Sequence, residues 1–475
     1  MKTVILGAGP AGLSAAWKLA GQGEEALVLE KTDRVGGICR TVSHKDYIFD
    51  LGGHRFFTKF DEVQALWEEV LGEEFLLRPR MSRIYYQGAF FDYPLRATNA
   101  LRGLGLIESA RCMLSYARAR GRKRESERTF EQWVSNRFGD RLFEIFFRTY
   151  TEKVWGIPTS EIGAEWASQR IKNLELSTAV KDALLRGISR PGRDASGKVV
   201  TSLIEEFHYP RFGPGQMYDA MAVQIADRGG TLAMEHKVIR LEQEEGHVHR
   251  VIAEKPNGAE VEFDVDFVLS SMPLTLLVQA LSPLPPDAVI QAARALQFRN
   301  LLTVDLIVDH PDLFDDTWIY IHDPNLQVGR VQNFKNWSPD MVPDPSTTSL
   351  GLEYFCWDTD DLWKMDDAAL VELATKEARA TGLMKGAPVL WGVVNRVPKA
   401  YPVYRTGYEA PLQILQEFLQ SMDNLQVMGR YGMFKYNNAD HSILTALLCV
   451  ENILGANHNV WAVNTDSEYQ EIRTG

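Results

Sequence analysis

The sequence predicts an α/β protein with a Rossmann-type unit at its start, a helical insertion and an α+β second domain. Three observations carry this. Residues 4–30 read strand, glycine turn, helix, strand and acidic residue. Residues 96–150 carry helical spacing almost throughout, and residues 285–400 alternate strand and helix patterns.

The opening unit is the most specific. Val4-Ile5-Leu6 is a short apolar strand that runs into Gly7-Ala8-Gly9-Pro10-Ala11-Gly12, followed by a helix-forming stretch, Leu13 to Ala20. Ala26-Leu27-Val28-Leu29 is a second strand and ends on Glu30. Gly7 permits the tight turn, Gly9 lets a pyrophosphate approach the backbone, and Gly12 lets helix and strand pack closely. The N–H groups at the helix start, aided by the helix dipole, suit phosphate charge. Glu30 is placed to accept hydrogen bonds from a ribose diol. A dinucleotide site is expected.

The residues that follow narrow the cofactor. After Glu30 come Arg34-Val35-Gly36-Gly37 and, further on, Asp50-Leu51-Gly52-Gly53-His54-Arg55-Phe56-Phe57. This resembles the FAD-binding fold of the glutathione reductase type, in its amine oxidase and protoporphyrinogen oxidase branch. There an Arg-x-Gly-Gly turn carries the chain along the flavin diphosphate. Paired glycines remove side chains where a backbone must lie against a ligand. The resemblance implies FAD, with Gly7, Gly9, Gly12, Glu30, Arg34, Gly36, Gly37 and Gly53 around it. Only one dinucleotide fingerprint is present, so NAD(P)H is expected at most as an external reductant.

A chain of 475 residues can bury a large core and suggests two or three structural units. Net charge of −12 argues against general nucleic-acid binding, which needs a basic face. Cys39, Cys112, Cys356 and Cys449 are far apart, without metal-ligand spacing, and read as reduced thiols of a cytoplasmic protein. No metal is expected. The chain opens directly on a strand, so no signal peptide is expected, and no apolar run reaches the roughly 18 residues of a membrane span.

In chain order, residues 58–80 read as a helix with Val63, Leu66, Trp67 and Val70 on one face. Met81 to Phe91 is a hairpin turning at Gln87-Gly88, and Pro94 enforces an extended entry to the helices that follow. Arg111 to Arg128 is strongly basic, with Arg118, Arg120, Arg122, Lys123 and Arg124 close together. It reads as a solvated helix end and loop, and leaves peripheral membrane contact open. Residues 186–202 read as a mobile loop. Tyr209 to Met217 is a glycine turn leading into a helix over 216–228, and 230–268 alternates like a meander. Strands are expected at Leu301–Val308, Trp318–His322, Ser349–Phe355 and Val389–Val397, with a helix from Asp366 to Thr381. A last strand, 425–430, precedes a helix from Ser442 to Leu454.

Four later patches are similar to UDP-galactopyranose mutases, flavoenzymes that interconvert the pyranose and furanose forms of a nucleotide sugar. Gly52 to Thr58 matches the mutase segment that bears a histidine, here His54, close to the isoalloxazine. Phe146-Phe147-Arg148-Thr149-Tyr150-Thr151-Glu152-Lys153-Val154-Trp155-Gly156 matches the segment whose Tyr and Trp sit at the uracil end; a flat nucleobase wants an aromatic face. Arg170-Ile171 aligns, with one residue inserted, to the mobile-loop arginine on the substrate diphosphate. Gly329 to Lys335 resembles the strand of the second such arginine, here Arg330. Tyr401-Pro402-Val403 and Gly429 to Asp440 form the last patch, implying Arg430 beside the flavin and Tyr401 and Tyr436 as phosphate donors. Asn438 and Phe434 depart from the family's Asp and Tyr, and the turn at 209–215 is similar to the oxidase and desaturase branch instead.

The resemblance implies a discontinuous FAD domain (1–80, 205–275 and 420–475), a mainly helical cap (81–204) and an α+β substrate domain (276–419). It implies ring interconversion of a nucleotide sugar through an adduct at N5 of reduced flavin, with His54, Arg170 and Arg330 catalytic and Tyr150, Trp155, Tyr401 and Tyr436 binding substrate. The alternative is an FAD-dependent oxidoreductase of the amine oxidase, protoporphyrinogen oxidase or desaturase kind. Oligomeric state is left open.

Overall fold

The computed structural model describes residues 1–93, 95, 97–121, 127–164, 166–167 and 206–465. The expected entry at Pro94, the cations Arg122, Lys123 and Arg124, the aligned Arg170 and the loop 186–202 lie outside the described residues.

A five-stranded parallel sheet runs in the order Leu425–Val427, Phe267–Ser270, Lys2–Leu6, Glu25–Leu29, Thr231–Ala233. Its strands come from three separated stretches of chain, yet they share one register: Val4 lies beside both Val268 and Leu27. Val4, Ile5, Val28, Val268 and Leu269 are fully buried, as expected of parallel strands covered on both faces. Helix Pro10–Gly21 packs against both Ala439–Ile453 and Gly215–Asp227.

The second sheet has seven strands in the order Val389–Pro402, Phe298–Val308, Thr348–Cys356, Arg330–Asn333, Trp318–Ile321, Ser82–Tyr86, Ala89–Asp92. Phe298–Val308 and Thr348–Cys356 are buried at every position, so they form the sheet's centre. The hairpin expected at 81–91 supplies its edge, with Ser82–Tyr86 parallel to Trp318–Ile321. A four-stranded sheet joins Glu260–Asp264, His247–Glu254 and Lys237–Glu244, the inner part of the expected meander, to Leu281–Ser282.

Two expectations need correction. The helix expected over 58–80 is only Asp61–Leu71. Gly72, at φ +52, ends it, and Phe75–Pro79 becomes a strand paired antiparallel with Glu206–Pro210. Local helical spacing could not reveal a partner more than a hundred residues away. The run 230–268 is likewise no single meander, because its outer strands enter the parallel sheet. In the helical stretch, Phe130–Phe138 is capped by a Thr129–Gln132 capping box. A π turn, Glu144–Arg148, precedes helix Thr149–Trp155. All four cysteines are buried and free. Among the described residues no helix is long and apolar enough to cross a membrane, and no cluster of His, Cys, Asp or Glu suits a metal ion.

Candidate active site

The first half of the site is made of backbone. A Cβ on Gly12 would lie 1.8 Å from the Gly7 carbonyl oxygen, so only glycine lets the helix start so close to the strand. Gly37 faces Gly9, with room for no side chain: a Cβ on Gly37 would be 3.1 Å from the Gly9 Cα. The Gly36 N–H donates to the Ala8 carbonyl at 2.8 Å, tying the second glycine turn onto the first. Glu30 is buried at the strand end, where Oε2 accepts from the Ala8 N–H (2.9 Å) and Oε1 from the Thr32 N–H (2.9 Å) and hydroxyl (2.8 Å). Oε1 is fully used by Thr32, and Oε2 keeps one lone pair for a further donor. Arg34 is exposed at the rim.

The residues present fit a flavin dinucleotide. The two facing glycine turns form a cradle that any Cβ would fill. Arg40 Nε and His54 Nδ1 are buried polar atoms with no protein partner, of the kind a bound polar group satisfies.

The second half is made of side chains on the seven-stranded sheet. His54 follows Gly52-Gly53, and its imidazole pKa is pushed down to about 3 by burial and by the nearby charges of Arg430 and Arg330. The ring is therefore neutral. Arg330 stands directly opposite Glu353 in the sheet register. Its Nε reaches the fully buried Glu353 carboxylate at 2.8 Å and its Nη2 reaches the Tyr401 hydroxyl at 3.2 Å. Gln332 Nε2 holds the other Glu353 oxygen at 2.6 Å, and its side chain backs onto Gly53. Arg430 is fixed by the carbonyls of Asn437 (2.9 Å) and Ala400 (3.3 Å). Its guanidinium lies 4.7 Å from the Tyr436 ring and 5.5 Å from the Tyr401 ring, which stack on each other at 5.8 Å.

The aromatic end adjoins these rings. Trp155 lies 6.0 Å from Tyr436 and 6.5 Å from Tyr401. Tyr150 stacks on His322 at 4.9 Å and meets Tyr320 edge-on at 5.4 Å. Lys153, between them on the same helix, donates to the carbonyls of Ile321 (3.0 Å), Asp323 (2.7 Å) and Val328 (3.2 Å). Burial brings its pKa down to about 8. This clamp orients Tyr150 and Trp155 toward the sheet.

His54, Tyr150, Trp155, Arg330, Tyr401, Arg430 and Tyr436 thus come together from five stretches of chain. Sequence reasoning missed Glu353, Gln332, Tyr320 and His322. Glu353 left one signal, a lone carboxylate inside an apolar strand. The Phe434 departure also has a physical reason. Its ring is fully buried and packs 5.0 Å from Phe298 and 6.2 Å from Tyr404, where a tyrosine hydroxyl would need a partner. Asn438 is the N-cap position of Ala439–Ile453, a role Asn and Asp fill equally well.

Comparison with known proteins decides the family. Residues 10–433 match the family described as flavin containing amine oxidoreductase. The chain belongs to it. It is a flavin-dependent enzyme of the amine oxidase superfamily.

Among solved structures, one of reduced UDP-galactopyranose mutase superposes with a TM-score of 0.84 and 22% identity, over 98% of this chain and 97% of that one. That likeness shows the fold. Among curated relatives, the L-amino-acid oxidase of Crotalus adamanteus is 53% identical over 58 residues, 12% of this chain and 11% of its own length. The chain therefore spans about a tenth of the length of such relatives. A Klebsiella pneumoniae protein named probable UDP-galactopyranose mutase is 28% identical over 173 residues, 34% of this chain and 42% of its own length.

Proposed function

We propose that this enzyme binds FAD and, with the flavin reduced, interconverts the pyranose and furanose forms of a nucleotide sugar. The observation that carries this reading is the meeting of Arg330, Arg430, Tyr401 and Tyr436 beside Trp155 and Tyr150. It puts cations, hydroxyls and aromatic faces in one cluster next to His54. A nucleoside diphosphate asks for that combination. The near-complete likeness in fold to UDP-galactopyranose mutase supports it.

Gly7, Gly9, Gly12, Gly36, Gly37 and Gly53 would line the cofactor, with Glu30 on the ribose, Arg34 at the rim and Arg430 near the ring system. When bound and reduced, the flavin supplies the nucleophile for the anomeric carbon. This chain's residues do the rest. Arg330, joined by Arg170, holds the leaving diphosphate, and Tyr401 and Tyr436 donate hydrogen bonds to it. Tyr150 and Trp155 take the nucleobase. His54, neutral, orients polar atoms without adding charge. Segments 1–80, 205–275 and 420–475 carry the cofactor in this reading, with 81–204 as a mainly helical cap and 276–419 as the substrate domain. The enzyme works in the cytoplasm, and NAD(P)H serves as an external reductant.

A thermal-shift screen of the reduced holoenzyme against UDP-, GDP- and dTDP-sugars tests the substrate class. The expected result is a rise in Tm with UDP-sugars. No response to any nucleotide sugar would overturn the reading. A second reading, an oxidase acting on an amino acid or amine, is favoured by the segment shared with the L-amino-acid oxidase.

A further inference from the structure

One face of the molecule is built unlike the rest of its surface. In helix Ala97–Gly121, Gly105 (φ +76) breaks the run, and a regular helix follows it. Leu106 is 91% exposed, Ile107 74%, Leu114 57% and Met113 46%, and Ala110 and Ala117 are exposed with them. At about 100° per residue, these six fall within an arc of roughly 120°. Arg120 borders the arc on one side, Arg118 and Arg111 on the other, and all three are exposed. The carboxylate of the segment, Glu108, lies on the opposite side of the helix, in salt bridges with Arg141 and, at 3.3 Å, with the rim's own Arg111, which leaves Arg118 and Arg120 as the rim cations without a carboxylate of this helix beside them. Ser109, Cys112 and Ala119 are buried on that inner face, and the Arg141 N–H donates to the Ser115 hydroxyl at 3.1 Å. The helix is therefore locked, with its apolar arc permanently outward.

We propose that this face docks the enzyme on the surface of an anionic lipid bilayer, the helix lying in the plane of the headgroups. An apolar arc rimmed by arginines, with no outward carboxylate, is the pattern of an interfacial helix. The chain as a whole carries −12, so its bulk is repelled by such a surface and the cationic rim sets a single orientation. A second copy of the chain is a poorer occupant. Pairing the face with itself brings arginine rims together with no acid between them, and a single helix stripe buries less than a stable dimer requires.

Sedimentation of the FAD-loaded protein with unilamellar vesicles is the test. Binding is expected to vesicles of phosphatidylcholine with phosphatidylglycerol, to fall at least tenfold on phosphatidylcholine alone, and to weaken with salt. The double variant Leu106→Glu/Leu114→Glu should lose at least tenfold in partitioning and keep its flavin spectrum and its thermal-shift response to nucleotide sugars. Arg111→Gln/Arg118→Gln/Arg120→Gln should lose binding to anionic vesicles in the same way. No binding to anionic vesicles, equal binding to neutral ones, or full binding by the Leu variant would overturn the proposal. So would a wild-type dimer in solution that the Leu variant dissociates.

Discussion

The two halves of the candidate site are built from different material. The glycine cradle at 7–37 is backbone: its specificity is the absence of Cβ atoms, and its one functional side chain, Glu30, is held by the N–H groups of Thr32, two residues on, and of Ala8 in the first glycine turn. The other half is side chains, from five stretches of chain, braced by a buried carboxylate and a lysine clamp. A backbone site can be read in one local pattern and destroyed by one methyl group. A side-chain site tolerates local change but depends on partners that only the fold brings near.

The sharpest way to break the first half is Gly12→Val. Its Cβ would meet a backbone carbonyl at 1.8 Å, which no rotamer change relieves. The expected protein carries no flavin absorbance and folds in poor yield.

In the second half, Arg330→Lys keeps the charge and loses the fork that joins Glu353 to Tyr401. Turnover should fall about 100-fold, with flavin still bound, as read from the absorbance spectrum. Arg330→Ala is a harsher change. It strands the buried Glu353 and costs about 3–5 kcal/mol of stability, so calorimetry should separate it from the lysine variant.

Tyr436→Phe removes one donor and keeps the stacked ring. KM for the nucleotide sugar should rise about tenfold, matching roughly 1.4 kcal/mol for a hydrogen bond to a charged group. Flavin affinity should stay the same, which distinguishes the two halves within one measurement.

Buried titratable groups in and around the site pull in opposite directions with pH. His54 and His322 are held down to about 3, chiefly by burial, from an ordinary value of 6.5. Between those values the unfolded chain binds protons that the folded chain refuses. Their stabilising share is complete above 6.5 and is lost as the pH falls toward 3. Asp50 behaves in reverse. Burial pushes it up to about 7 from 3.8, against the hydrogen bonds of Tyr209 and Thr41. Its share is complete below 3.8 and is lost as the pH rises through 7. In thermal unfolding scanned over that range, His322→Gln should flatten the acid limb and Asp50→Asn the neutral one. The smallest effect is expected from Asn438→Asp, under threefold in KM, because both residues suit the N-cap position before Ala439–Ile453 and the Asn438 side chain makes no capping hydrogen bond to lose.

This contrast also explains what the sequence could tell. Gly7 to Gly12 and Glu30 were legible because turn, helix start and strand end are neighbours in the chain. The central strands were legible as the mostly apolar runs Leu301–Val308 and Ser349–Phe355, within the observed Phe298–Val308 and Thr348–Cys356. Phe75–Pro79 was not, since its partner lies past residue 205. Glu353 and His322 were hidden for the same reason: a buried ion pair or ring stack is decided by sheet register, and register between distant strands leaves no local trace. The family motifs reached Tyr150, Trp155, Arg330 and Arg430, but said nothing of what holds them.

The central claim is that the flavin serves as a nucleophile for a nucleotide sugar, with no net redox change. Anaerobic mixing of the oxidised and of the dithionite-reduced holoenzyme with UDP-galactopyranose, followed by flavin absorbance and product chromatography, tests it most directly. The account predicts furanose product only from the reduced enzyme, whose flavin stays reduced at the end. An oxidised flavin bleached without added reductant by an amine or amino acid in parallel mixing, with no furanose from the reduced enzyme, would contradict it.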